Sequence, residues 1–248
     1  MRKSKITKRV FERSRPLAAV GLCWYVRLPL TMGTRRDSSS SLKEQNANAL
    51  MHSSIVKGNK STVQEAIKLG CNLNSLSKYG DPPIVSCAGV DPYTTHDTKT
   101  GKDKMLEILE ILLGNEKCDI NARGAGGETA LHRALSVRAQ NRVKYLLERG
   151  CDVDIRDSRG QTPLFAAVPF TEGLELLLSH GPLLDVFDSE GFTPLMYAVM
   201  SEAPQSLYAV KAIAKSGCNI NLVSAKDKKS LLMITLREDG SLPRSDQV

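Results

Sequence analysis

Apolar and polar positions recur along this 248-residue chain with a period near 33 residues. Each unit ends in a short phrase of alternating polar and apolar residues, found at Cys71-Asn72-Leu73-Asn74, Cys118-Asp119-Ile120-Asn121, Cys151-Asp152-Val153-Asp154, Cys218-Asn219-Ile220-Asn221 and, more loosely, Pro182-Leu183-Leu184-Asp185. Nine residues after the start of each phrase stand Gly80, Gly127, Gly160, Gly191 and, in the last copy, Asp227. The phrases lie 47, 33, 31 and 36 residues apart, which predicts a stack of similar units.

The residues inside one unit predict two short helices followed by a turn. In Thr162-Pro163-Leu164 and Thr193-Pro194-Leu195, threonine can accept hydrogen bonds from the first free N–H groups of a helix. Proline then occupies the first helical position, where its missing N–H costs nothing. A second apolar run, such as 143–147, ends at a glycine (Gly150 or Gly181), as expected for a left-handed helix C-cap. One unit cannot bury its apolar face alone, so the units must stack.

This pattern resembles the ankyrin repeat, whose unit carries a Gly-x-Thr-Pro-Leu-His phrase and ends in Gly-Ala-Asp-Val-Asn. The resemblance covers residues 46–236 and is strongest at 118–200. One copy alone keeps the histidine, and four copies have cysteine in place of the family's alanine. The resemblance implies an all-α solenoid of about six helix–turn–helix–hairpin units. The last unit is expected to be incomplete, with 237–248 as a short tail.

His132 holds the histidine position of the family phrase, and the resemblance implies a structural role in which it binds backbone groups of neighbouring turns. The equivalent positions are held by Met51, Phe165 and Met196. The repeated cysteines contain no Cys-x-x-Cys pair of the kind that binds zinc. Equivalent positions in packed units lie about 10 Å apart, whereas disulfides need Cα atoms within about 7 Å. We therefore expect small buried thiols, which favour a cytoplasmic or nuclear compartment.

Candidate catalytic motifs fail on their spacing. Thr100-Gly101-Lys102-Asp103 resembles a phosphate-binding loop, but His96 stands where the first glycine should be and Asp103 replaces the Ser/Thr. No nucleophile–base pair or carboxylate pair has a defensible spacing. The sequence therefore predicts a protein that is not an enzyme and that holds neither a metal nor a cofactor.

Partner-binding positions follow from the resemblance, which implies that hairpin tips and first helices line a concave surface. The tips carry Lys78, Tyr79, Arg123, Arg156, Arg159, Phe187 and Glu190. The positions after the turn glycines carry Asp81, Glu128, Gln161 and Phe192, and the first helices add Arg133 and Tyr197. Arginine and aromatic side chains are the usual anchors of protein interfaces. We expect other proteins as partners, with an acidic or phosphorylated segment as the ligand; the alternative is a solvated charged surface.

The 47-residue step contains an insertion at 89–104. Its Pro, Gly, Thr and Asp content predicts a loop between the two helices of the second unit. Loops of this length are usually functional or disordered, and four threonines with Tyr93 make phosphorylation a weak candidate. Deleting 91–102 is expected to leave the thermal melt nearly unchanged.

The net charge of +7 is concentrated in residues 1–45, which hold 11 basic and 3 acidic residues, whereas the rest of the chain holds 23 and 24. A nucleic-acid surface on the folded part is therefore not expected. The apolar run 17–26 is shorter than the roughly 20 residues that span a membrane. We expect 1–45 to form a basic, Ser-rich, disordered tail; mitochondrial targeting and nuclear or membrane association remain alternatives.

The combined interpretation is a non-catalytic scaffold or adaptor that binds proteins through its hairpin tips and first helices. One alternative is the substrate-recognition adaptor of a ubiquitin ligase, as in the ankyrin-repeat SOCS-box family, although no recognisable SOCS box follows residue 236. Another is a scaffold tethered to an organelle or membrane by residues 1–45. The resemblance also suggests Asn121 as a substrate for asparaginyl hydroxylation.

Overall fold

The computed structural model describes residues 38–92, 103–201, 205–226, 228–231 and 233. These ranges contain the helices α1 (Ser38–Lys57), α2 (Lys60–Lys68), α3 (Pro83–Ala88), α4 (Lys104–Leu113), α5 (Ala130–Ser136), α6 (Gln140–Glu148), α7 (Pro163–Ala167), α8 (Thr171–Leu178), α9 (Pro194–Met200) and α10 (Ser206–Lys215). In the same ranges, extended pairing is confined to an isolated antiparallel bridge between Val223 and Ser230.

The helices are arranged in two layers. The odd-numbered helices α1, α3, α5, α7 and α9 contact one another in chain order, and the even-numbered helices α2 to α10 do the same. Within each pair, the first helix packs against the second. Five helix pairs therefore stack side by side, which confirms the predicted all-α solenoid.

Helix starts and ends follow the predicted chemistry with one exception. Thr193 Oγ1 accepts a hydrogen bond from Met196 N–H at 3.3 Å, as expected of an N-cap. Thr162 also precedes a proline at the first helical position, but its Oγ1 has no partner among the described residues. Gly150 and Gly181 have φ values of 73° and 65°, which confirms the left-handed C-caps.

The core is a continuous layer of aliphatic side chains between the two rows of helices. The four positions equivalent to the family's histidine are all buried: Met51, His132, Phe165 and Met196. Cys151 is buried as expected, whereas Cys71, Cys118 and Cys218 are half-buried and pack against the core from its edge. The prediction of fully buried cysteines is therefore wrong for three of the four.

The boundaries of the array differ from the sequence boundaries at the N-terminal end. Helix α1 begins at Ser38, so residues 38–45, which the sequence assigned to the tail, belong to the first helix. Residues 1–37 and most of the insertion, 93–102, lie outside the described residues, as do 234–248. Leu231, at the start of the expected sixth unit, packs against the core.

Candidate partner-binding site

Five tight turns in the described part of the chain form the hairpin tips, at 77–81, 124–128, 157–161, 188–192 and 224–229. Each is closed by a backbone hydrogen bond between its two ends, as from Asp157 N–H to the Gln161 carbonyl at 2.8 Å. Neighbouring tips are also joined to each other: Ser158 N–H donates to the Gly126 carbonyl at 2.9 Å, and Ser189 N–H to the Arg159 carbonyl at 2.8 Å. We call these bonds between tips the tip ladder.

The first junction of the tip ladder is built differently. Here Ala125 N–H donates to the Oδ1 atom of Asp81 at 3.1 Å, so a side chain replaces the backbone carbonyl used elsewhere. Gly124 makes this possible, because a Cβ atom at that position would collide with the Asp81 carboxylate. Asp81, predicted to contact a partner, therefore holds the second tip in place.

Arg123 and Arg156 belong to a set that we call the outer row, whose members stand four residues before the turn glycine or its equivalent. The outer row consists of Leu76, Arg123, Arg156, Phe187 and Val223. Arg123 donates from Nε to the Gly127 carbonyl at 3.2 Å and from Nη2 to the Arg156 carbonyl. Arg156 donates from Nη1 to the Phe187 carbonyl at 2.9 Å. Each arginine thus reaches the next member of its row.

Arg133 and Arg159 have a different environment, because carboxylates compensate both charges. Arg133 Nε lies 2.6 Å from an oxygen of Glu128, and its Nη2 lies 3.5 Å from Asp81. Arg159 Nη2 lies 3.1 Å from Asp157 and 3.8 Å from Glu128. The structure therefore joins five side chains into one network, in which carboxylates compensate the charges of Arg133 and Arg159.

The aromatic candidates lie near the two ends of the row of hairpin tips. Tyr79 is 59 % exposed, and the Lys78 Nζ atom lies 4.8 Å above the centre of its ring. Near the other end, Tyr197 on α9 is 42 % exposed and packs edge-on against the buried Phe165, with ring centres 6.1 Å apart. Phe187 and Phe192 are half-buried.

The two remaining polar candidates contact the neighbouring turn. Gln161 Nε2 donates to the Asp188 carboxylate at 3.0 Å, and the exposed Glu190 accepts from Lys226 Nζ at 2.7 Å. The sequence did not indicate Lys226 as a tip residue, because Asp227 stands in place of the turn glycine there and the match to the repeat weakens.

A second set of hydrogen bonds joins the short turns that follow the second helices. Asn74, Asn121, Asp154 and Asp185 each accept a backbone N–H from the next unit through a side-chain oxygen. In the case of Asn121, the donor is Asp152 N–H at 2.9 Å. The candidate hydroxylation site is therefore a half-buried structural residue in a row of equivalent residues.

His132 has the structural role that the resemblance implied. Its Nδ1 accepts from Thr129 N–H at 3.2 Å, and its Nε2 lies 3.1 Å from the Gln161 carbonyl of the next turn, to which it donates. Burial lowers the pKa of His132. A neutral ring with its proton on Nε2 satisfies both contacts, so His132 connects two units.

The cysteine thiols described here are free and held in their protonated form. Burial raises the pKa of Cys151 to about 12 and that of Cys118 to about 11. Because the thiolate is the reactive and metal-binding form, these cysteines act as packing groups. No cluster of metal-ligating side chains occurs in the ranges that the structure describes.

A buried ion pair that the sequence did not indicate lies at the base of the insertion. The Arg142 guanidinium on α6 binds the Asp103 carboxylate through Nε at 2.6 Å and Nη2 at 2.8 Å. Its Nη1 donates to the carbonyls of Ala88, at 3.2 Å, and Val90. Burial alone would raise the pKa of Asp103, but the hydrogen bonds and charge of Arg142 outweigh it and hold the pKa below its usual value. We call this arrangement the Arg142 clasp.

A stack of helix pairs whose tips are hydrogen-bonded side by side defines a helical-repeat interaction module. A family model for ankyrin repeats matches residues 99–182 and 143–224, together just over half of the chain. The chain therefore belongs to the ankyrin-repeat family. Ankyrin repeats generally mediate protein–protein interactions, and the family is typically non-catalytic.

Several curated proteins are similar to parts of the chain. It is 37 % identical over 86 residues to the human SH3 and multiple ankyrin repeat domains protein 2, which covers 31 % of this chain and 4 % of that protein. It is 43 % identical over 65 residues to the putative ankyrin repeat protein FPV230 of fowlpox virus, covering 26 % and 34 %. It is 31 % identical over 104 residues to the Xenopus laevis neurogenic locus notch homolog protein 1, covering 42 % and 4 %. The chain thus matches at most about a third of the length of these relatives.

In the part of the chain that the structure describes, no helix is both long enough and apolar enough to cross a bilayer.

Proposed function

We propose that this chain is a non-catalytic scaffold that holds protein partners against its hairpin tips. The observation that carries the proposal is the distribution of charge on the tips. Among the described residues at the tips, the exposed cations are Lys78, Arg123, Arg156, Arg159, Lys226, Lys228 and Lys229. Carboxylates pair with two of them, Arg159 and Lys226. The acids Asp81, Glu128, Asp157 and Asp188 are buried or half-buried, and Glu190 is the one exposed acid among the described tip residues.

This distribution favours an acidic or phosphorylated segment as the ligand. The tip acids are used inside the fold, where they bind backbone N–H groups and arginines, whereas the cations lie at the outer edge. A surface of one sign steers a partner of the opposite sign and raises its association rate at low salt. The exposed Tyr79 and Tyr197 add aromatic contact area, which such interfaces use as anchors.

The test is affinity purification with mass spectrometry from cells, using the full chain. The tip variant carries Lys78→Glu, Tyr79→Ala and Lys226→Glu, and the matched control carries Lys144→Ala and Glu148→Ala on the exposed side of α6. We expect partners that are lost from the tip variant and retained by the control, while circular dichroism and thermal melts stay the same. Direct binding of a purified partner would follow. Equal recovery by both variants would refute a tip-binding scaffold.

Two further proposals concern the cellular compartment of the protein and the modification of Asn121. The described cysteines are free thiols, the state that is kept in the cytoplasm and nucleus, and we place the protein there. For Asn121 we propose that hydroxylation requires local opening of its turn, since its side chain holds Asp152 N–H in the folded state. A peptide of +16 Da mass at Asn121 would support this modification, and an unmodified peptide from cells containing the hydroxylase would argue against it.

A further inference from the structure

The side chains of the outer row follow a defined succession of apolar and cationic groups. Its second and third members are arginines, and they are flanked by Leu76 on one side and by Phe187 and Val223 on the other. Leu76 and Val223 are 64 % and 42 % exposed. A ligand lying along the row would therefore meet an apolar side chain, two cations and two more apolar side chains in succession.

Arg123 and Arg156 retain charge and hydrogen-bonding capacity for such a ligand. A guanidinium carries five N–H donors; Arg123 uses two of its groups and Arg156 uses one, in each case on a backbone carbonyl. A carbonyl fixes the direction of a guanidinium without neutralising it. The salt bridges of the described residues involve Arg133 and Arg159 but neither of these two side chains. Both are therefore oriented in advance, and neither forms a salt bridge among the described residues.

The spacing of the row selects the conformation of the ligand. Successive members belong to successive units, and packed helices lie about 8–10 Å apart. A polyproline II segment has three residues per turn and rises about 3.1 Å per residue, so every third side chain returns to the same side after about 9.3 Å. A β-strand repeats every second residue, after about 6.8 Å, which does not match. An α-helix repeats after seven residues at about 10.5 Å, but helices bind with an apolar face in a groove, and the centre of this row is cationic.

We propose that the outer row binds an acidic protein segment in the polyproline II conformation. Its carboxylate side chains stand three residues apart and pair with Arg123 and Arg156, and apolar side chains three residues beyond each carboxylate pack on Leu76 and Phe187. The order apolar–acidic–acidic–apolar reads the same in both chain directions, so the segment can run either way. This inference rests on the proposed function, because it names the ligand of the same tips.

The first measurement is fluorescence polarisation of the full chain with three labelled synthetic peptides. The matched peptide is LPQEPQEPQL, whose glutamates are three residues apart; LPQPEQEQPL has the same composition with glutamates two residues apart. The third is an alanine-rich helical peptide with glutamates seven residues apart. We expect the matched peptide to bind at least about tenfold more tightly than either, which is the effect of one lost charge-assisted contact. Equal affinities, or tighter binding of the helical peptide, would overturn the proposal.

The second measurement places the peptide on the outer row. Arg123→Gln and Arg156→Gln should each weaken the matched peptide about tenfold, while Lys144→Gln on α6 leaves it unchanged. Arg156→Glu should bind a peptide in which one glutamate is replaced by lysine better than it binds the matched peptide. This exchange separates a direct contact from a loss of fold, because an unfolded variant would gain no new preference. Unaltered binding by the glutamine variants would place the peptide elsewhere.

A third measurement, with phosphoserine peptides, distinguishes carboxylate from phosphate as the source of the negative charge. If phosphoserine in place of glutamate were required for binding, the row would be a phosphopeptide site and the carboxylate proposal would be wrong. If no peptide binds, yet partners are still lost from the tip variant, the outer-row inference fails and the scaffold function stands. If the peptides bind as expected but no partner depends on the tips, the scaffold function fails instead.

Discussion

Replacing Arg142 with methionine tests how much the Arg142 clasp contributes to the fold. Methionine keeps the apolar stem and removes the guanidinium, which is completely buried and makes two hydrogen bonds to the buried Asp103 carboxylate. Breaking a buried ion pair by removing one partner typically costs about 3–5 kcal/mol. The carbonyls of Ala88 and Val90 also lose a donor, which places the expected cost near the upper part of that range.

The assays are urea unfolding and thermal unfolding, both followed by circular dichroism, with Lys144→Met as the control on the same helix. A loss of about 4 kcal/mol corresponds to a fall in Tm of about 8–16 °C for a domain of this size, whereas the exposed Lys144 should change stability by less than about 0.5 kcal/mol. Arg142→Met combined with Asp103→Asn should cost clearly less than the sum of the two single changes. If the single costs simply add, or if Arg142→Met unfolds like the wild type, the clasp is not a coupled pair.

The acid dependence of stability gives an independent check on the clasp. The pKa of Asp103 is lower in the folded protein than the ordinary value of 3.8, so its contribution is complete above pH 3.8 and is lost as the pH falls through the lower folded value. In Arg142→Met, burial without the guanidinium should raise this pKa instead. The wild type should therefore lose stability more steeply than the variant as the pH falls below 3.8.

Three further outcomes are expected from thermal or urea unfolding. Since burial lowers the pKa of His132, the wild type should lose stability as the pH falls from 6.5 through the lower folded value, and His132→Phe should show a weaker dependence; equal pH profiles would contradict this. Arg138→Gly should stabilise by about 0.5–1 kcal/mol, because the native φ is 56°; a lower midpoint would show that the arginine side chain outweighs backbone strain. Replacing 93–102 with a Gly-Ser stretch of equal length should leave Tm unchanged while the clasp remains; a large fall would make that segment structural.

The helix pairs could be predicted because their signals are local and repeated. Thr-Pro-Leu phrases, turn glycines and apolar runs recur at fixed distances, so one unit predicts the next, and His132 was assigned correctly on the same basis. The half-burial of three repeated cysteines could not be predicted, since it depends on how far each short turn lies from the core edge. That distance is a property of packing rather than of the repeat pattern.

The sequence predicted which arginines lie at the tips, but it could not predict what their guanidinium groups contact; that these residues bind a partner stays a prediction. The sequence placed arginines on the tips, yet it could not show that Arg133 and Arg159 face carboxylates while Arg123 and Arg156 face carbonyls. The Arg142 clasp was missed for a related reason. Its two charged members are 39 residues apart, and Asp103 lies at the edge of an insertion where the repeat register is interrupted.

The tip ladder and the bonds between the short turns also determine how the array responds to mechanical force. Both sets cross from one unit to the next, so tension applied to the two ends of the stack passes through them in series. Most junctions carry a backbone bond at the tip and a side-chain bond at the short turn. The junction between α3–α4 and α5–α6 carries the Arg142 clasp in addition, and it is expected to open last when the array is stretched.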